Sequence, residues 1–160
     1  MADGGTSELI MLVTALLTGG IVAGLLLTSW GGLATAVDAQ QQQAAADAVT
    51  RADLASDAMA VSWDQTNCNM TLHLQNSGAA NLETDGVAFI INGTAATVNG
   101  RAMLGASAAW IPGEVVEFWV CPTGLTLNSG DEIRINAIVQ STPMGGATGS
   151  HAFGEVIRIA

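Results

Sequence analysis

The residues able to do chemistry are few and scattered. Among 160 residues there are two histidines, His73 and His151, and two cysteines, Cys68 and Cys121. No Cys or His pair stands at zinc-ligand spacing. No glycine-rich phosphate loop or nucleotide fingerprint appears, and no nucleophile elbow sets a serine against a histidine and an acid. His73 falls in an alternating stretch and reads as an outward or satisfied strand residue. Asn128, Asp131 and Glu132 carry oxygens suited to calcium, but the ordered spacing of a calcium loop is missing, so they read as a solvated turn. The expectation is a protein without catalytic residues, cofactor or metal.

Two other features concern covalent modification. If the region around them lies outside the cytoplasm, Cys68 and Cys121 read as a disulfide. It would close a loop of about 50 residues and add roughly 3–4 kcal/mol in the chain-entropy account. In a reducing compartment the same pair reads as two buried thiols packing as small hydrophobes. Asn69-Met70-Thr71 and Asn92-Gly93-Thr94 are N-glycosylation sequons, which makes Asn69 and Asn92 candidate acceptors at strand edges or turns.

Charge narrows the partners. Fourteen acidic residues face four basic ones, for a formal charge of −10. The four are Arg51, Arg101, Arg134 and Arg158; there is no lysine. Such a surface repels phosphate backbones, so nucleic acid is not expected as a partner. The excess fits a high-salt setting, where self-repulsion is screened, and equally an ordinary acidic protein.

The elements that carry these residues divide in two. Leu9 to Trp30 is uncharged and long enough to cross a bilayer, for which about 20 apolar residues suffice. Its leader, Met1 to Glu8, is acidic where a secretory signal would be basic, so the segment reads as retained. The first basic residue is Arg51, so flanking charge does not orient the segment. Thr6 or Ser7 is the expected N-cap, with Glu8 in the first turn. Small residues recur at Ala15, Gly19 and Ala23 and at Gly20 and Gly24, a pattern that lets apolar helices approach closely. Candidate packing residues are Leu9, Leu12, Leu16, Gly20, Gly24 and Leu27. Trp30 reads either as an interfacial anchor or as one more packing residue. Alanine and glutamine (Gln40 to Gln43) extend the helix to about Ala60, with Val37, Ala44, Ala48 and Ala55 as a thin apolar face. A helix over 7–60 would be about 80 Å long.

From Val61 the period changes. Met70, Leu72 and Leu74 alternate with polar residues, and Asn76-Ser77-Gly78 ends that strand. Val87 to Ile91 and Thr94 to Val98 flank Asn92-Gly93, a strong hairpin signal. Further strands are predicted at Val115 to Val120, Ile133 to Val139 and Phe153 to Ile159. About seven short strands predict an antiparallel, immunoglobulin-like sandwich. The expected class is α+β: a helical segment over 1–60 and a β domain over 61–160. Trp63, Trp110 and Trp119 are expected in the β core or at a subunit contact.

Ser7-Glu8-Leu9-Ile10-Met11-Leu12-Val13, then Ile21-Val22-Ala23-Gly24-Leu25-Leu26, then the strand and turn Leu72-His73-Leu74-Gln75-Asn76-Ser77-Gly78-Ala79-Ala80-Asn81-Leu82, together resemble the archaellin superfamily, archaeal relatives of type IV pilins. The last stretch is most similar to archaellum accessory proteins. The resemblance implies an extracellular filament subunit for swimming or attachment, with helices bundled inside and immunoglobulin-like domains outside. Its implied partners are copies of itself, the membrane before assembly, and other filament or surface-layer proteins. It points to Glu8 as the acidic residue that registers incoming subunits, although Glu8 lies further along the chain than in pilins. The basic leader recognised by a prepilin peptidase is not among these residues. The alternative is an accessory module anchored in the membrane, whose β domain holds a surface-layer or motor component.

Overall fold

A computed structural model of the chain describes residues 4–160. One helix, α1 (Gly4–Val49), precedes eight strands: β1 (Ala52–Leu54), β2 (Trp63–Asp64), β3 (Asn69–Asn76), β4 (Ala88–Ile91), β5 (Thr94–Met103), β6 (Val115–Cys121), β7 (Glu132–Gln140) and β8 (Ser150–Arg158). Two compact units result, one ending at Gln41 and the other spanning Gln42–Ala160. The last turns of α1 therefore belong to the β unit.

The helix departs from expectation at both ends. It is already helical at Gly4, the first described residue, so Thr6 and Ser7 lie inside it and are not its N-cap. It stops at Val49, not near Ala60. Ala52, Asp53 and Leu54 instead pair antiparallel with Asn76, Gln75 and Leu74, and Ala52 is wholly buried in the core. The helical propensity of this alanine-rich stretch is worth only tenths of a kcal/mol per residue. A sheet pairing that buries apolar surface outweighs it. The expected face at Ala44 and Ala48 is exposed, while Ala46 is buried.

The strands form one antiparallel sheet in the order β1-β3-β6-β5-β4-β7-β8, with β2 added beside β3. β5 joins its two halves. Its beginning, Thr94 to Ala96, pairs with β4 (Ile91 opposite Thr94), and from Thr97 it pairs with β6, with a register shift between Val98 and Gly100 inside that pairing. The two ends of the sheet meet where Val61 bridges Ile159 in parallel, with Val61 N–H donating to the Arg158 carbonyl at 2.9 Å. The sheet is nearly barrel-shaped. Asn92 and Gly93 make the β4–β5 turn with φ of 48° and 83°, the left-handed pair a two-residue hairpin requires.

Alternation sends one face of each strand inward. Leu72 and Leu74 of β3, Val116 and Phe118 of β6, and Ile135 and Val139 of β7 are wholly buried. Phe118 packs edge-on against Phe89, with centroids 5.6 Å apart, and lies 5.7 Å from Trp110. Trp110 thus belongs to the core, while Trp63 packs against it only partly buried. Trp119 is on the outer face, its ring over Gly100 where any side chain would collide.

Candidate assembly surface

Every large apolar side chain of α1 from Leu9 to Val37 is exposed. Leu9, Ile10, Met11 and Leu12 follow one another, so the apolar surface goes right round the helix. No charge interrupts it between Glu8 and Asp38. Leu9, Leu12, Leu16, Gly20, Gly24 and Leu27 step by three or four residues and share one face.

The threonine hydroxyls in this stretch are satisfied within the helix. The Thr14, Thr18, Thr28 and Thr35 hydroxyls donate to carbonyls of the preceding turn, at 2.7 Å to Ile10, 2.8 Å to Thr14, 2.9 Å to Leu25 and 2.9 Å to Gly32. A hydroxyl so bonded enters a dry environment without the cost of an unmade hydrogen bond. Gly19, Gly20, Gly24, Gly31 and Gly32 have no atom within 4 Å of where a Cβ would stand. Each is a place where a second backbone can come close. In water, each such glycine costs the helix about 0.8–1 kcal/mol relative to alanine. Among the described residues one helix is long and apolar enough to cross a membrane, and it is this one.

Within the β unit the end of α1 is held in a socket that the sequence reading missed. Gly78 lies against the Val49 carbonyl, and Gly149 against the Ala46 carbonyl and the Thr50 hydroxyl, so closely that a Cβ at either glycine would overlap them. The Val49 carbonyl accepts from the Ala79 N–H at 2.9 Å. The Asp47 carboxylate accepts from the Ser150 N–H at 2.8 Å, and Gln43 Nε2 donates to the Thr148 carbonyl at 2.9 Å. Buried Asn76 anchors the Gly78 loop. Its Nδ2 donates to the Ala80 and Trp110 carbonyls at 2.8 and 2.9 Å, and its Oδ1 accepts from the Gly78 N–H at 3.1 Å. The signal was present in Asn76-Ser77-Gly78, read from sequence only as the end of a strand.

The remaining candidates are dispersed through the β unit. Cys68 and Cys121 are disulfide-bonded, with Cα atoms 5.0 Å apart. Asn69 is half-buried at the start of β3, its Oδ1 accepting from Asn99 Nδ2 at 2.7 Å. Asn92 is exposed at a hairpin tip, its Oδ1 accepting from the Arg134 N–H at 2.9 Å. The His73 N–H donates to Ser56 Oγ at 2.7 Å, and Ser56 Oγ lies 3.1 Å from His73 Nδ1. His73 and Glu114 border an open depression of about 500 Å³ with Leu104 and Val115. His151 stacks on Phe153. The Asp131 carboxylate accepts from the Asn128 N–H at 2.8 Å, an ordinary turn contact. Among the described residues no three His, Cys, Asp or Glu side chains gather as metal ligands. The exposed Asp64 carboxylate is held below its ordinary pKa, chiefly by hydrogen bonds from the Asn67 side chain and backbone.

No family model matches the chain, and no curated protein matches it.

Proposed function

We propose that the chain is a non-enzymatic structural subunit of an archaellin- or type IV pilin-like extracellular filament, serving motility or adhesion. It polymerises through α1, and the β unit, immunoglobulin-like in kind, lies outside. The observation that carries this reading is the exposed apolar girth of α1 from Leu9 to Val37. A helix apolar on every side needs cover on every side. Covering a large aliphatic side chain is worth about 1.5–3 kcal/mol, so the segment leaves a bilayer only for an equally apolar place. Neighbouring helices of the same chain supply it, and the open glycines let their backbones approach. Before assembly the same segment resides in the membrane. Glu8, at the start of the apolar stretch, is the residue this reading assigns to subunit registration, and Asn69 and Asn92 are its candidate glycan acceptors.

A second reading has its own observation. The helix face at Ala46 is already covered within the β unit, so only the stretch up to Val37 asks for outside cover. A lone membrane anchor provides most of that. On this reading the β unit holds a surface-layer or motor component.

The experiment is electron microscopy of material sheared from the cell surface, with mass spectrometry of what is sheared. Filaments built mainly of this chain, with α1 protected from protease, support the first reading. Retention of the chain in the membrane fraction, with no filament containing it, sinks it in favour of the second. Gly20→Leu with Gly24→Leu is expected to abolish filaments; normal filaments from that variant would count against close helix packing.

A further inference from the structure

The charge of this chain is segregated from the surface by which it is proposed to assemble. Leu9 to Val37 carries none, while Asp38, Asp53, Asp57, Asp64, Glu132 and Glu155 are exposed beyond it. Pairing removes little of the excess: among the described residues one salt bridge forms, Arg101 with Asp85. Copies that pack by α1 therefore bring strongly acidic β units side by side, with no lysine on any of them to offset their neighbours.

Two lengths decide whether that matters. A β unit of this size has a radius of gyration of about 13–14 Å, which sets neighbouring centres about 30 Å apart. The screening length of salt is about 30 Å at 0.01 M, about 10 Å at 0.1 M and about 3 Å at 1 M. At the lowest salt one screening length spans the distance between centres, so roughly a third of the unscreened interaction between neighbouring β units survives; at the highest the field decays within about 3 Å of its own surface. The apolar contacts of α1 have no such dependence over the low-salt range.

We propose that assembly of this chain is gated by ionic strength: polymers hold in salt and release folded subunits when salt is withdrawn. The proposal rests on the filament reading above and adds a condition to it.

The test uses sheared filaments dialysed against NaCl from 0.5 M down to 0.01 M, with pelletable and soluble chain measured at each step. At least a tenfold rise in soluble chain is expected at the low end, with the strand circular dichroism of the released subunits unchanged. From Gln42 to Ala160 eleven acidic residues stand against four arginines, an excess of seven, and the variant Asp53→Asn, Glu132→Gln, Glu155→Gln removes three of them at exposed positions. Repulsion scales as the product of the charges, so it falls to about a third, and the salt concentration at half-release is expected to drop at least about twofold. Filaments that stay intact at 0.01 M overturn the proposal while leaving the filament reading standing. So does an unchanged half-release point in the variant, or released subunits that have unfolded, since salt would then be acting on folding. Absence of filaments containing this chain at any salt removes the filament reading and the proposal with it.

Discussion

The two units of this chain solve opposite problems with the same residue types. In the β unit, leucine, isoleucine, valine and phenylalanine alternate with polar residues, and Leu72, Leu74, Phe118 and Ile135 are wholly buried within one chain. In α1 up to Gln41, the same side chains follow one another without alternation, and Leu12, Leu16 and Leu27 remain 61, 68 and 75% exposed. Glycine shows the same reversal. Gly78 and Gly149 are pressed against the Val49 and Ala46 carbonyls, while Gly20 and Gly24 face open space. A side chain buried within its own chain contributes to folding; one left exposed contributes when something outside covers it. The β unit is complete as a folded body, and α1 awaits its surroundings.

Parallel truncations would break this contrast most sharply. Phe118→Ala is expected to cost the β unit about 3–5 kcal/mol, read from denaturant unfolding. Leu16→Ala should leave that transition unchanged while weakening assembly. Equal losses from the two would mean that α1 already has partners within the chain.

Replacing Cys68 and Cys121 by serine is expected to cost the β unit roughly 3–4 kcal/mol, because the bond closes a loop with a sequence separation of 53. The helicity of α1 should not change in the same variant, a difference circular dichroism resolves. A smaller effect is expected at the socket. Gly78→Ala and Gly149→Ala would each push a Cβ into the end of α1 and cost about 1–3 kcal/mol, whereas Gly20→Ala, with nothing near it, should stiffen the isolated helix by about 1 kcal/mol. Opposite signs at these glycines are what the contrast requires.

The smallest effect is electrostatic. The Asp64 pKa is lowered in the folded state, first by the Asn67 side chain and then by backbone N–H groups. A depressed carboxylate pKa stabilises the fold above the unfolded-state pKa, and that contribution disappears as pH falls through the folded value. The turn between β2 and β3 should therefore loosen only at pH below the ordinary carboxylate range. Carboxylate titration by NMR would show it, and the Asn67→Ala variant should move the Asp64 midpoint upward.

Local chemistry was legible where a residue acts through its own neighbours in the chain. The uncharged run from Leu9 dictates a helix that avoids water, because its backbone bonds internally and its side chains have no polar face. Asn92-Gly93 dictates a hairpin, because both positions tolerate positive φ. The alternation in β3, β6 and β7 marks strands with one buried face. Tertiary structure alone decided where α1 stops, since Ala52-Asp53-Leu54 continues an alanine-rich, helix-compatible stretch until Leu74 to Asn76 offer a pairing edge. It decided that β5 serves both halves of the sheet, since Thr94 to Ala96 pair with β4 and the strand from Thr97 on pairs with β6, two partners that nothing within β5 specifies. It also turned Asn76-Ser77-Gly78 from the end of a strand into a seat for Val49, because that seat is built from residues distant in sequence. Spacing along the chain sets what a residue can do with its neighbours; only the closed fold sets which distant backbone group will need it.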